Sequence, residues 1–243
     1  MDIQAVIDPT RPTTNKNSFI AGGYRLLKVD TLDNRSVSEK ILGELREKIS
    51  SSNGDAVVFS DFRHGIFSRE TTPSMIEAIP GGIFRVGDSQ VASRWGNILD
   101  FSDFDLITPN EKEARFALGD QDTVVRPLGS ELYRQARCKT LILKMGERGL
   151  ITFRAPVTEL PDDLRQFFVI DSFARHVVDA VGAGDALLAY ATLAMKATGN
   201  EVIASVLGSL AAGVECEKDG NIPVLPDDVR HKLKAIEKHA NYD

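Results

Sequence analysis

Two hydrophobic periods divide this chain. Compact apolar runs such as DAVVFSDF (55–62) and KTLILKMG (139–146) are rich in β-branched residues and read as buried strands. Around them lie windows with apolar residues at helical spacing, over 37–51, 68–79, 111–118 and 130–137. Ser68 is placed to cap the second of these, and Pro73 falls near its start. Glu111 and Glu113 suit the positive end of the third. Further strands are expected over 82–89, over 105–110 (closed by Pro109), and over 149–155 as the hairpin partner of 139–146. FFVIDSF (167–173) and RHVVDAV (175–181) read as two strands around a turn. Residues 18–30 read as two short strands or a hairpin around Gly22 and Gly23. Windows at 186–199, 201–217 and 226–240 make a helical C-terminal third. Strands alternating with helices predict an α/β fold, with a mostly parallel sheet covered on both faces. No repeat, low-complexity tract or linker interrupts the pattern, so one domain over 1–243 is expected.

A chain of 243 residues, 42% hydrophobic and 26% charged, can bury a sizeable core and is not globally disordered. Its net charge of -6 and scattered Lys and Arg offer no electrostatic footprint for nucleic acid or an anionic membrane. Cys138 and Cys216 are far apart and belong to no metal or redox grouping; inert core thiols in a reducing setting are expected. The opening MDIQAVIDPTRPTTNK lacks the apolar core of a signal peptide. The most apolar stretch, near 180–195, is broken by Gly184 and Asp185 and is too short to cross a bilayer. A soluble cytoplasmic protein is the expectation.

The segment DAVGAGDALLAYATLAM (179–195) raises the chemistry. It sets a glycine turn before an apolar helix and puts Asp185 on the helix's first turn. The first amides of a helix lack internal partners and carry partial positive charge, and glycines let an anion approach them. A carboxylate there repels a resting phosphate, but suits a hydroxyl that attacks one. In that arrangement Asp185 is the general base and the turn receives the developing charge. The plainer alternative is that Asp185 caps its helix over an ordinary tight turn. A dinucleotide fingerprint fails, because Leu187 occupies its third glycine position.

DAVGAGD resembles the signature of the ribokinase/PfkB family of carbohydrate kinases, approximately D-[TS]-x-G-A-G-D. Other pieces arrive in the family's order: TPNEKE (108–113), KMGERG (144–149) and AAGVECEKDGN (211–221). RPTTNK (11–16) and VVFSDFRHG (57–65) resemble elements of the branch containing heptose-phosphate kinases. The resemblance implies a ribokinase-like three-layer α/β/α sandwich and ATP-dependent phosphotransfer to a hydroxyl of a sugar or sugar phosphate. It implies that Asp185 is the catalytic base and that Gly182, Ala183 and Gly184 form the anion hole. Asn110 and Glu113 match the pair that organises Mg²⁺ and phosphate through water, and positions i and i+3 share a helix face. Without the other motifs, Glu113 reads as a solvated first-turn acid.

Lys144, Gly146 and Gly149 are implied to border the nucleotide phosphates and ribose, and Ser209 and Asn221 the adenine side. Asp179 and the 216–221 loop resemble a monovalent-cation (K⁺) site. Thr14, Lys16 and Asp61 match the acceptor side, and each reads equally as a surface polar residue or turn cap. His64 replaces the lysine expected in its element. His64 and His176 are as readily structural, and His231 and His239 lie on a charged helix.

The opening of the family's plan, with its first strand and its GG-x-x-x-N segment, has no counterpart here. A truncated sheet of this kind exposes an edge and an apolar face. Three arrangements follow: a split kinase completed by a complementary chain carrying the N-terminal half, a homo-oligomer, or an inactive nucleotide-binding or structural subunit. The catalytic half needing a partner is the expectation.

Overall fold

The computed structural model describes residues 2–22, 24–90, 97–155, 166–220 and 222–240. Eight strands and seven α-helices follow in order among them. β1 (Asn15–Ala21) and β2 (Tyr24–Thr31) form an antiparallel hairpin of their own. Gly22 turns it with φ +58; Gly23, the other glycine expected at this turn, lies outside the described residues. The remaining strands make one sheet in sequence order: β3 (Ala56–Asp61), β4 (Phe84–Ser89), β5 (Leu106–Ile107), β6 (Thr140–Lys144), β7 (Leu150–Arg154) and β8 (Phe167–Ile170). β3 to β6 run parallel, and β7 and β8 are added antiparallel.

Alternation along each strand sends side chains to two separate cores. Ile107, Leu141, Leu143, Ile151 and Phe153 point to one, where they meet Phe59, Phe101, Phe104, Leu128 and Leu132. α1 (Glu39–Ser50), α2 (Thr71–Glu77), α3 (Glu111–Leu118) and α4 (Val125–Ala136) cover this face. Val86, Leu106, Ile142 and Leu150 point the other way, onto Leu187, Leu188, Ala191 and Ala204 of α5 (Ala183–Thr198) and α6 (Glu201–Cys216). Each fully buried aliphatic or aromatic side chain contributes ~1.5–3 kcal/mol. The result is the expected three-layer α/β/α sandwich. α7 (Pro226–Ala240) packs outside it on α6 through Val229. No described helix is long and apolar enough to cross a membrane.

Two expectations need correction. Residues 175–181 form no strand: the sheet ends at β8, and this segment runs beside the end of α6, with Val178 N and Asp179 N donating to Cys216 O. Its valines remain exposed, so their β propensity had no sheet to serve. α4 begins at Val125, ahead of the expected 130. Gly129 belongs to it because a side-chain carbon there would meet the Phe153 ring at 2.4 Å.

Candidate active site

The carboxyl ends of the parallel strands share one edge of the sheet, where open α/β folds gather ligands. β3 delivers Asp61 there, β4 Asp88, β5 leads to Thr108 and Asn110, and β6 ends at Lys144. The N-terminus of α5 arrives at the same edge. Gly182 is its N-cap at φ +89, a conformation that favours glycine.

Lys144 is the hinge of this cluster. Its Nζ donates to Asp88 Oδ1 at 3.1 Å, and Thr108 Oγ1 donates to the same oxygen at 3.0 Å. A side-chain carbon placed on Gly184 would lie 3.3 Å from the ammonium, so Lys144 reaches the turn that precedes Asp185. Asp185 is half-buried. Burial, then the charge of Asp88, pushes its carboxyl up, while Lys144 and Lys16 pull it down. An acid held up in this way, within electrostatic reach of an ammonium, suits proton abstraction from a hydroxyl.

Asn110 and Glu113 form a reciprocal capping box at the start of α3. Glu113 N donates to Asn110 Oδ1 at 2.9 Å, while Asn110 N and Nδ2 donate to the two Glu113 oxygens at 2.7 and 2.6 Å. Glu113 is buried, and burial pushes its carboxyl up to about 7 against the pull of Lys144 and Asn110. Asn110 engages both Glu113 oxygens, and each keeps a further lone pair that a hydrated metal-phosphate group could use.

The other expected residues fall in distinct places. Gly149 holds the turn between β6 and β7: at φ +79, any side chain would collide with Ile170 O, 2.1 Å away. Gly146 starts the exposed 3₁₀ turn of the same connection, and Ser209 is buried in α6. Asn221 lies outside the described residues. Thr14 Oγ1 approaches His64 Nδ1 at 3.4 Å, and the Lys16 ammonium sits 5.4 Å from the Phe62 ring centroid. Burial, then Lys16, pushes the His64 imidazole down. Of these three, Lys16 lies within electrostatic reach of Asp185.

Asp61 is turned inward. It is 2% exposed, accepts from Arg63 N at 2.7 Å and pairs with Arg63 Nε at 2.8 Å. Arg63 stands in the left-handed region at φ 60 and donates to Ser89 Oγ at 3.0 Å. Asp61 therefore anchors the loop that carries His64. Asp179 Oδ1 accepts from Val181 N at 3.1 Å, and its own N–H donates to Cys216 O at 3.3 Å. Beyond it Glu215 is 2% exposed; burial pushes its carboxyl up, against the pull of Lys218 and of the Ile222 backbone N–H. Asp179 lies within electrostatic reach of Glu215, and two acids so placed fit a cation.

Asp88 and Glu215 were not among the expected site residues. Asp88 ends a buried strand as Asp61 does, and that shared position was its signal. Glu215 sits in the acid-rich ECEKD run, which reads as a solvated helix end.

Comparison with known proteins agrees with this geometry. Residues 88–228 match the family described as pfkB family carbohydrate kinase. The chain is 30% identical over 243 residues to the bifunctional protein HldE of Geobacter metallireducens, covering 94% of this chain and 46% of that protein. It is 26% identical to HldE of a Nitratiruptor species, covering 96% and 48%. It thus spans about half the length of the curated relatives it matches. Among solved structures, Escherichia coli phosphofructokinase-2 in complex with potassium aligns with TM-score 0.70 at 17% identity, over 87% of this chain and 67% of that one. Thermotoga maritima ribokinase aligns with TM-score 0.69 at 19% identity, over 92% and 70%.

Proposed function

Because this chain belongs to the pfkB family of carbohydrate kinases, we propose that it transfers the terminal phosphoryl group of ATP to a hydroxyl of a sugar or sugar phosphate. Asp185 takes the hydroxyl proton as the acceptor oxygen bonds to phosphorus, and the bond to the departing ADP breaks. The amides of the 182–184 turn and the Lys144 ammonium balance the charge that develops on the transferred group. Asn110 and Glu113 would hold the Mg²⁺-bound phosphates, and Mg²⁺ would supply charge neutralisation there. The observation that carries the reading is the convergence of Asp185, the Gly184 turn, Lys144 and the Asn110–Glu113 pair at one sheet edge. Thr14 and Lys16 stand on the acceptor side, with His64 beside Thr14, and the Lys16 ammonium favours a phosphorylated acceptor. A cation beside Asp179 and the loop after Cys216 supports the turn from behind.

A partner completes the acceptor site in this reading. The hairpin exposes Phe19, Ile20, Leu26 and Leu27. At the sheet edge, Val58 of β3 is 43% exposed on the face that α5 and α6 cover elsewhere. Apolar surface of this kind marks an interaction face, for a complementary chain or a second copy.

The test is ADP release with a panel of sugars and sugar phosphates, comparing wild type with Asp185→Asn. Loss of the base lowers turnover ~10²- to 10⁴-fold, while stabilisation by Mg²⁺-ATP persists. Wild-type turnover in Asp185→Asn would sink the mechanism, and ATP binding without transfer to any acceptor, even with the completing partner present, would make the chain a binding subunit.

A further inference from the structure

An arginine at the head of RPTTNK, the run that leads into β1, is of the residue type that binds an anionic acceptor. The structure spends it otherwise. Arg11 Nη1 donates to Arg35 O at 3.0 Å and to His64 O at 3.4 Å, and Nη2 donates to Ser36 O at 3.1 Å. Its Nε pairs with Asp8 Oδ2 at 2.7 Å, and the side chain is only 15% exposed. Three segments meet on this guanidinium: the run entering β1, the run leaving β2 for α1, and the loop after β3 that carries His64. Gly65 closes the junction. Val37 N donates to Gly65 O at 3.0 Å, and a side-chain carbon on Gly65 would lie 2.0 Å from Arg35 O. A planar fork of N–H groups can serve three carbonyls and a carboxylate together, whereas a lysine ammonium has too few donors.

The hairpin depends on this junction for its placement. Every described side chain of β1 and β2 is exposed, so no core holds the hairpin against the sheet. Arg11 lies in one root of the hairpin and donates to carbonyls of the other. The loop it also grips is tied to the sheet, because Arg63 N donates to Asp61 Oδ1 at 2.7 Å and Arg63 Nη2 to Ser89 Oγ at 3.0 Å. Polar contacts therefore run from β3 and β4 through the Arg63–His64 loop and Arg11 to the base of β1. Thr14 beside His64 and Lys16 over Phe62 add longer, weaker contacts to the same loop. Lys16 follows on β1, within electrostatic reach of Asp185.

We propose that Arg11 is a positioning residue: it hangs the β1–β2 hairpin from the loop after β3 and so sets where Lys16 stands against Asp185. Its consequence for transfer rests on the kinase reading, while the placement itself rests on the hydrogen bonds of Arg11 alone. Arg11 touches no reacting atom in this account and acts through Lys16.

Two measurements test this, with Arg11→Lys as the variant because it keeps the charge and loses the fork. The first needs no acceptor. Nitroxides on Asn17→Cys in β1 and Leu193→Cys in α5, both exposed, are placed in a Cys216→Ala background where buried Cys138 stays unlabelled. Electron–electron double resonance, with unlabelled chain in excess, then reads the hairpin against the helix that carries Asp185. One narrow distance distribution is expected with Arg11, and a broadened or displaced one in Arg11→Lys. Asp8→Asn, which removes the carboxylate partner, should act in the same direction and serves if Arg11→Lys does not fold. The second measurement is kinetic. Acceptor kcat/KM in Arg11→Lys is expected to fall ~10- to 100-fold, while stabilisation by Mg²⁺-ATP is unchanged. Lys16→Met should cause a loss of the same order, and the double variant should lose no more than Lys16→Met alone. Additive losses would overturn the proposal, as would an unchanged distance distribution or a wild-type one already as broad as the variant's. If wild type transfers to no acceptor, even with its partner present, the kinase reading falls by itself. The distance distribution then still decides whether Arg11 places the hairpin.

Discussion

Replacing Glu113 by glutamine tests whether the centre of the site is built as described. The Glu113 carboxyl is raised from 4.5 to about 7, which at ~1.4 kcal/mol per pH unit is worth roughly 3 kcal/mol. The sign follows from which state holds the proton. The unfolded chain releases it near the ordinary glutamate value, and the folded chain keeps it until about neutrality. This contribution to stability is therefore fully present below about 4.5 and is lost as pH rises through about 7. Glutamine cannot titrate, so Glu113→Gln lacks this slope. Weakening the capping box adds a pH-independent cost of about 0.5–2 kcal/mol. Urea unfolding followed by circular dichroism at pH 5 and pH 8 reads the difference. Wild type should lose about 2–3 kcal/mol more than the variant across that interval. Parallel stability–pH profiles for the two proteins would refute the burial argument. They would also return Glu113 to the class of solvated first-turn acids.

Other expectations follow from the same geometry. Transfer should rise with pH through a value above the ordinary aspartate range, because burial and Asp88 push Asp185 up; a flat profile in Asp185→Asn would assign that limb. Arg63→Ala strips the partner from buried Asp61 and should cost about 3–5 kcal/mol in urea unfolding, whereas a neutral result would mean that Asp61 is uncharged in the fold. Leu26→Lys with Leu27→Lys should shift the purified chain to a smaller species in light scattering, since the hairpin is exposed and apolar; an unchanged mass would clear the hairpin of any role in assembly.

The sheet and most of its helices were legible because periodicity reports burial, and the two core faces separate cleanly along β4 to β7. The errors came where tertiary context decides. HVV in 176–178 has strand chemistry, but the sheet ends at β8 and the segment closes on α6. Pro127 and Gly129 hide the start of α4, where the glycine serves the Phe153 ring and not the helix. The site was legible as motifs and illegible as partners. Nothing in VVFSDFRHG says that Asp61 is spent on Arg63, because that pairing needs the left-handed turn at Arg63. Asp88 lies outside every motif, Glu215 lies unremarked inside AAGVECEKDGN, and both acquire meaning only from what the fold sets beside them.

Charge balance unites these residues. Asp88, Glu113 and Asp185 all lie within electrostatic reach of the Lys144 ammonium, and Asp88 holds it directly at 3.1 Å. Burial raises Glu113 and Asp185, so the site without nucleotide already carries more acid than its lysine can offset. Bare ATP would add further negative charge to this edge, whereas ATP complexed with a divalent ion brings part of its own neutralisation. Lys144 is then shared: a phosphate that draws the ammonium toward Gly184 weakens its hold on Asp88. Asp88 pushes Asp185 up and Lys144 pulls it down, so the two effects of such a movement on the base oppose one another. Asp88, a residue no motif in the sequence marks, therefore belongs to the charge balance of the base as well as to the hold on Lys144.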